Sequence, residues 1–195
     1  MTIRKGEPWG EPVERPDDLI RFDSDAGLAS ALAADPMGAF GVAAGDLHTA
    51  LGGPPDRREM QRLPVDAMRV VTDRAEMHAI AHVVARRSWW RGPILVVANV
   101  GHIGDWNVAS RAHPNDGRLD VVTVEPAMTM RQRWEARRRL PAGTHVPHPH
   151  IAVRSATTVE EVFERPMKIT VDGRDVGHSR LLRVDVLPDA HVVLV

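Results

Sequence analysis

The stretch RAHPNDGRLDVVTV, residues 111–124, has two halves that require different backbone structures. The first half cannot continue a helix or a central strand, because Pro114 fixes φ and lacks an N–H and Gly117 readily adopts positive φ. The second half, Leu119–Val124, is apolar and β-branched, and it predicts a strand that leaves the turn. Turn chemistry explains the Asn-Asp-Gly loop by itself. Loops held between core strands nevertheless often carry function, so both interpretations stay open.

Apolar runs on both sides of this loop extend the β pattern. The run ILVVANV at residues 94–100 predicts a buried strand before the loop. Further strand patterns follow toward the carboxyl end, at residues 151–154, 167–171, 181–186 and 191–195. Helical patterns occupy Asp25–Ala34 and residues 131–139, the second with Trp134 on its inner face. The sequence therefore predicts a mainly β fold of the α+β class with a few short helices.

Length and composition favour one globular domain. The 195 residues are 43% apolar, which is enough for a hydrophobic core, and we expect a single domain over residues 1–195 with residues 1–44 as an N-terminal extension. The 25 basic and 26 acidic residues nearly balance, which argues against a dedicated nucleic-acid surface. There is no cysteine, no signal-like N-terminus and no long apolar run, so we expect a cytoplasmic protein without a transmembrane segment. Lys5 and Lys168 are the only lysines, and this preference for arginine is typical of a high-GC bacterial gene.

Two groups of cationic and aromatic residues each have two interpretations. Arg4, Lys5 and Trp9 either bind an anion or form a solvated strand end with Trp9 packed on the core. Trp89 and Trp90 lie in an arginine-rich connection, RRSWWRG at residues 86–92. These indoles either stack with neighbouring guanidinium groups or contact a lipid interface.

Three histidines form a candidate metal group. His145, His148 and His150 lie within six residues of one another, and imidazole is a common zinc ligand. Pro147 and Pro149 keep this segment extended, which tends to hold the three rings apart. The sequence alone does not decide whether they converge on a metal.

Several short motifs together resemble one protein family. A strand that carries Asn99, followed by HPNDGRLD at residues 113–120, resembles the signature strand-N…P-x-x-DG-x-L-D of the diacylglycerol kinase and sphingosine kinase superfamily. More narrowly, it resembles the β-sandwich domain of bacterial lipid kinases. GDLHTALGG at residues 45–53 is similar to the family segment G-N-D-L-A-x-x-L-G, and DGR at residues 172–174 to the family's D-G-E. The resemblance covers roughly residues 45–195 and implies a β-sandwich.

The resemblance also implies a metal and a ligand cleft. In the family, the loop aspartate helps to hold a structural Mg²⁺, together with a group three residues earlier and a main-chain carbonyl two residues later. The matching positions here are Asp116, His113 and the carbonyl of Arg118. Mg²⁺ prefers oxygen ligands, so His113 departs from this set. The family's cleft would lie near Asn99, Arg111, Asp116 and Asp172.

Two departures argue against catalysis by this chain alone. The family binds ATP through a separate lobe with a G-G-D-G-T loop, and neither this loop nor a P-loop occurs in the sequence. The family's general base is the glutamate of D-G-E, and Arg174 takes its place here. An arginine stays protonated and cannot accept the proton of a hydroxyl group. We therefore expect a degenerate relative that binds a lipid or an anionic small molecule. The alternatives are half of a split lipid kinase that acts with a separate ATP-lobe protein, or a scaffold module that forms homo-oligomers.

Overall fold

Strands dominate the computed structural model, which describes residues 9–53 and 58–195. The strands are β1 (Glu11–Glu14), β2 (Arg21–Phe22), β3 (Ala39–Val42), β4 (Glu59–Thr72), β5 (Glu76–Ala79), β6 (His82–Arg86), β7 (Ile94–Ala98), β8 (His102–Ile103), β9 (Trp106–Asn107), β10 (Leu119–Val124), β11 (Ile151–Ala156), β12 (Thr158–Val171) and β13 (Arg174–Leu194). The helices are α1 (Asp25–Ala34), α2 (Asp46–Ala50) and α3 (Met130–Arg139), and a single 3₁₀ turn follows α3 at Leu140–Ala142. The predicted mainly β fold with a few short helices is confirmed.

One large sheet folds over a shared core. Eleven strands belong to it, and its main path runs β1–β4–β13–β12–β6–β7–β10–β11, while β8 and β9 form a separate small hairpin. Buried side chains from both halves of this path pack together, among them Met68 on β4, Val97 on β7, Leu119 on β10 and Leu182 on β13. The two halves therefore face one another in the manner of a β-sandwich, as the sequence predicted.

The loop of residues 113–117 lies between two neighbouring strands of this sheet. β10 pairs antiparallel with β7, with Asp120 opposite Ala98. The strand predicted at Leu119–Val124 is confirmed at both ends. The loop therefore emerges at one end of the sandwich, between strands whose side chains are mostly buried.

The two strands predicted at residues 181–186 and 191–195 are parts of one strand, β13. β13 continues through residues 187–190, where the sequence predicted a turn. Its pairing with β4 shifts between Leu187 and His191, and Asp189 has a φ of 51°. A β-bulge of this kind absorbs the extra residues while the partner strand continues to pair on both sides.

The N-terminal segment adds a small parallel unit with its own core. β2 pairs in parallel with β3, and β3 pairs in parallel with the end of β13. The predicted helix Asp25–Ala34 is confirmed, with Ser24 as its N-cap. Leu28 and Leu32 of α1 pack with Leu47 of α2 in a buried cluster beside the sheet.

Helix α3 buries an arginine on the face where a tryptophan was predicted. Thr129 and Gln132 form a capping box at its start. Its buried residues are Arg133 and Ala136, whereas Trp134 is 50% exposed. The prediction for Trp134 was wrong. Arg133 can occupy the buried face of the helix because main-chain carbonyls, including those of Met128 and Gly92, accept hydrogen bonds from its guanidinium. No helix within the described residues is both long and apolar enough to cross a bilayer.

Candidate functional site

The loop of residues 113–117 is fastened to two other strands by buried polar groups. The Gly117 N–H donates to Asp66 Oδ2 at 2.7 Å, and the Asp66 N–H donates to the Pro114 carbonyl at 2.7 Å. The Asn115 side chain, which is fully buried, donates to Asp189 Oδ1 at 2.9 Å. These hydrogen bonds therefore attach the loop to β4 and to the bulge of β13.

Asp66 is the residue that joins these two anchors. It is fully buried, and its second oxygen, Oδ1, accepts from the Asp189 N–H at 2.8 Å. Burial raises the pKa of Asp66 above its ordinary value. Sequence reasoning missed this residue. The available signal was a lone aspartate inside an apolar strand pattern, LPVDAMRVV at residues 63–71.

Two of the predicted metal ligands, Asp116 and His113, lie in this loop, and each accepts a hydrogen bond from a nearby main-chain N–H group. Asp116 Oδ1 accepts from the Arg118 N–H at 2.9 Å, and His113 Nδ1 accepts from the Asn115 N–H at 3.2 Å. Burial raises the pKa of Asp116 and lowers that of His113. Only Asp116 offers the side-chain oxygen that Mg²⁺ prefers, so this donor set fits the ion poorly. The Mg²⁺ site stays a prediction, and no step of the function proposed below uses it.

Asp172 lies at the tight turn between β12 and β13 and holds the main chain of another segment. Its carboxylate accepts from the N–H groups of Ile80, Ala81 and His82, each at 2.9 Å. Its backbone has a φ of 47°, and its own N–H donates to the His82 carbonyl. Burial raises the pKa of Asp172 to about 7, while the three N–H donors act in the opposite direction.

Asn99 braces the same segment from the other side. Its side-chain amide, which is fully buried, donates to the carbonyl of Ile80 at 2.8 Å and to that of Asp66 at 3.0 Å. Asn99 and Asp172 were both predicted to bind a ligand, and the structure brings them together around residues 80–82. Asp172 and the amide nitrogen of Asn99 bind main-chain groups there, which makes both residues braces for the fold, whereas Asn99 Oδ1 has no hydrogen-bond partner within the described residues.

The other predicted ligand-binding residues are dispersed. Arg111 is exposed and lines a groove with Asp120 and His148. Trp9 lies beside the loop, because its ring centroid is 4.7 Å from that of His113, and its indole N–H donates to the Pro64 carbonyl. The prediction for Arg4 and Lys5 lies outside the described residues.

A cleft of about 360 Å³ separates α1 from the turn between β12 and β13. Arg174, Asp175 and Asp172 all contribute to its wall. Asp175 forms an ion pair of 2.8 Å with Lys168, and its hydrogen bonds to Lys168 and to the Gly177 N–H lower its pKa. A carboxylate with a lowered pKa is a weak base, and Arg174 cannot act as one at all. Neither Arg174 nor Asp175 therefore suits the role of general base, although His78 also lines this cleft.

Two further carboxylates, Asp25 and Asp46, lie close to the segment that Asp172 holds. Asp25 is buried and accepts from the N–H groups of Asp46 and Leu47 at the start of α2. Asp46 Oδ2 lies 3.3 Å from Nδ1 of the buried His82. Burial raises the pKa values of Asp25 and Asp46 and lowers that of His82 to about 4, so the imidazole is neutral at pH 7.

An apolar cavity of about 90 Å³ opens between α3 and the outer face of the sheet. Three indoles line it, those of Trp89, Trp90 and Trp106. Trp89 and Trp106 meet edge to face with ring centroids 5.5 Å apart. The Arg137 guanidinium lies over both Trp90 and Trp106, at 5.5 and 5.1 Å from the ring centroids. Sequence reasoning noted Trp89 and Trp90 but missed the cavity, because its walls come from distant segments.

One histidine in the wall of this cavity has unused hydrogen-bonding atoms. His145 is 5% exposed, and within the described residues neither ring nitrogen has a hydrogen bond of good geometry, although the Val108 carbonyl lies close enough to act against the effect of burial on its pKa. Burial lowers its pKa, so the ring is neutral. His148 and His150 lie next to each other instead, and His150 Nδ1 is 2.9 Å from a Glu125 oxygen. In the described part of the chain, no three His, Asp or Glu side chains are placed to hold one metal ion.

Comparison with known proteins connects this architecture to one family. The family model described as the YegS C-terminal NAD kinase beta sandwich-like domain matches residues 56–195. A crystal structure of a protein assigned as a diacylglycerol kinase from Bacillus anthracis str. Sterne aligns with a TM-score of 0.66 and 12% identity, covering 90% of this chain and 77% of that one. A second such structure aligns with a TM-score of 0.66 and 13% identity over the same shares of the two chains. A third aligns with a TM-score of 0.54 and 13% identity, covering 80% of this chain and 66% of that one. At these identities the likeness shows the fold alone. No curated protein matches the sequence.

Proposed function

We propose a function from one premise: the chain belongs to the family of the YegS C-terminal NAD kinase beta sandwich-like domain, within the lipid-kinase superfamily. The resemblance expected from the sequence is thereby confirmed. The proposed function is to bind a lipid with an anionic head, without phosphorylating it unless another chain supplies the nucleotide site. The observation that carries this proposal is the apolar cavity beneath α3. The cytoplasmic location and the bacterial origin stay predictions.

The cavity, at about 90 Å³, suits a short segment of the apolar part of an amphipathic ligand, because pockets that enclose a whole small molecule are roughly 300–1,000 Å³. Its walls combine the three indoles with aliphatic side chains such as Val96, Val122 and Ile151. Each methylene group that moves from water into such a wall contributes roughly 0.8 kcal/mol. His145 offers one polar atom inside this apolar lining, and its neutral ring can donate or accept a hydrogen bond.

A polar groove adjoins the cavity and suits the ligand's head. Val108 and Ile151 line both the cavity and this groove. Arg111 is exposed in the groove, and His148 lies there too. A guanidinium binds phosphate or carboxylate with charge-assisted hydrogen bonds. A lipid with its tail in the cavity would therefore place an anionic head near Arg111.

The second cleft supports the non-catalytic part of the proposal. Phosphoryl transfer requires groups that place the phosphates and neutralise their charge. The cleft instead has Arg174 where the family carries its base, Asp172 bound to main-chain N–H groups, and Asp175 paired with Lys168. Binding without catalysis is the function that these residues support best.

A phosphotransfer assay tests the proposal. We expect the purified chain with Mg-ATP and diacylglycerol vesicles to transfer no γ-phosphate above background, because the sequence carries neither the G-G-D-G-T loop nor a P-loop and Arg174 replaces the family's glutamate. An active diacylglycerol kinase in the same vesicles is the positive control. Transfer that Asp116→Ala abolishes would contradict the proposal. Transfer that appears only after a separate ATP-lobe protein is added would support the split-kinase alternative.

Ligand binding is tested by filling the cavity. Val122 is 4% exposed and lines it, whereas Val162 on β12 is 75% exposed. We expect Val122→Phe to weaken binding of lysophosphatidic acid at least tenfold, because the new ring occupies the space of the lipid tail, and we expect the matched control Val162→Phe to bind like the wild type. Tryptophan fluorescence and native mass spectrometry measure the binding. Equal affinities of the two variants, both shown to be folded by circular dichroism, would count against the cavity as the site.

A further inference from the structure

We infer that helix α3 and the adjoining turn of residues 86–92 form a docking face for an anionic lipid bilayer. The inference goes beyond the proposed function and rests on surface residues that do not fill the cavity. We call this surface the basic-aromatic face, and it consists of Arg87, Arg91, Met130, Arg131, Trp134 and Arg138. All six residues are exposed.

The face displays two large apolar side chains on one turn of helix. Met130 is 52% exposed and Trp134 is 50% exposed, and they are four residues apart on α3. Residues at this spacing lie next to each other on a helix surface. The other large exposed apolar side chains of the described chain, Ile20, Met37, Val153 and Val162, lie outside α3. Tryptophan is enriched at membrane interfaces, where its ring meets the lipid headgroups.

Positive charge is concentrated on the same surface. Helix α3 contains five arginines and one glutamate, and four of the arginines are exposed, because only Arg133 is buried. Arg87 and Arg91 add two more cations from the turn, which is bound to α3 because Arg133 donates to the carbonyls of Trp89 and Gly92. The whole chain has a formal net charge of −1, so this surface differs sharply from the rest. A basic surface residue near an anionic membrane contributes about 1 kcal/mol to binding.

The side chains are arranged as an interfacial contact requires. The Arg138 guanidinium lies 4.8 Å above the Trp134 ring. This stacking lets the arginine reach phosphate headgroups while the indole lies deeper in the interface. Arg131 is 89% exposed, and its ion pair with Glu135 at 3.2 Å is open to water and therefore weak. Contact with lipid phosphates can replace that pair.

The face also borders the apolar cavity. Arg137 and Trp90 belong to the cavity wall, and each is next in sequence to a residue of the face. A protein docked in this way would hold the cavity opening at the bilayer surface. The exposed Met130 favours a bilayer over a nucleic acid, because a thioether gains from an apolar medium and has no favourable contact with a phosphodiester backbone.

Vesicle flotation tests the docking face. We expect the wild-type chain to bind vesicles of phosphatidylcholine with 30% phosphatidylglycerol and to bind pure phosphatidylcholine at least tenfold more weakly. Arg131→Ala/Arg138→Ala should reduce binding to the anionic vesicles by more than tenfold, since two cations at about 1 kcal/mol each correspond to roughly 30-fold. Trp134→Ala should reduce it at least threefold. Arg154→Ala/Arg165→Ala removes the same charge from β11 and β12 and should bind like the wild type.

The outcomes separate this inference from the proposed function. Val122→Phe, which fills the cavity, should still bind the anionic vesicles, so a failed cavity site leaves the docking face intact. Equal binding to neutral and anionic vesicles would overturn the inference. An equal loss of vesicle binding in Arg154→Ala/Arg165→Ala would also overturn it. Tighter binding to single-stranded RNA than to the anionic vesicles would overturn it too, because this face would then be a nucleic-acid surface. Circular dichroism confirms that each variant is folded.

Discussion

Asp66→Ala is expected to lower the free energy of unfolding by about 3 kcal/mol, because it leaves two partly buried N–H groups without an acceptor and each costs about 1–3 kcal/mol. These are the N–H groups of Gly117 and Asp189, which bind its two carboxylate oxygens at 2.7 and 2.8 Å. For a chain of this length the loss corresponds to a fall of roughly 10 °C in melting temperature. Urea denaturation followed by tryptophan fluorescence measures the change.

The control for this variant removes an exposed aspartate. Asp105 is exposed, so Asp105→Ala should stay within about 0.5 kcal/mol of the wild type. Asp66→Asn keeps one acceptor oxygen, and its free energy of unfolding should lie between those of Asp66→Ala and Asp105→Ala. A loss below about 1 kcal/mol for Asp66→Ala would show that the loop of residues 113–117 does not depend on this carboxylate.

Asp172→Ala is expected to cost a similar amount, about 4 kcal/mol at pH 5, because the N–H groups of Ile80, Ala81 and His82 lose their common acceptor. Its cost depends on pH. Burial raises the pKa of Asp172 to about 7, so between about pH 4 and pH 7 the native protein holds a proton that the unfolded chain has released. Under that condition stability falls as pH rises. The difference in the free energy of unfolding between the wild type and Asp172→Ala should therefore shrink by about 3 kcal/mol between pH 5 and pH 8.

Parallel denaturation of both proteins at pH 5 and pH 8 measures this effect. The difference between them isolates Asp172, since every other titrating group is common to both. Asp18→Ala removes an exposed carboxylate and should track the wild type at both values. A difference that stays constant between pH 5 and pH 8 would mean that Asp172 is ionised in the native state throughout this range.

The strands could be predicted from the sequence because their signals are local. Leu119–Val124 is a β-branched apolar run that follows a Pro-containing Asn-Asp-Gly turn, and both features act within a few residues. Helix Asp25–Ala34 likewise carries its cap beside it, at Ser24. The break predicted at residues 187–190 failed because a bulge held by Asp66 permits positive φ at Asp189 without ending the strand.

The roles of the site residues were harder to predict because they depend on distant partners. Asp172 binds N–H groups about 90 residues away along the chain, and Asp66 binds one that is 123 residues away. The cavity beneath α3 combines walls from residues 89–151 that no local pattern connects. Trp134 was assigned to the inner face of its helix by hydrophobicity, whereas Arg133 occupies that face because carbonyl groups satisfy its donors.

The position of β13 has a consequence for the order in which the chain folds. β13 is the last strand of the sequence, yet it lies between β4 and β12 in the middle of the sheet. Without β13 the sheet consists of three separate fragments with unpaired edges, namely β1–β4–β5, β2–β3 and β12–β6–β7–β10–β11, and such edges are prone to aggregation. Closure of the sheet must therefore await β13, and its long-range pairings make that step slow.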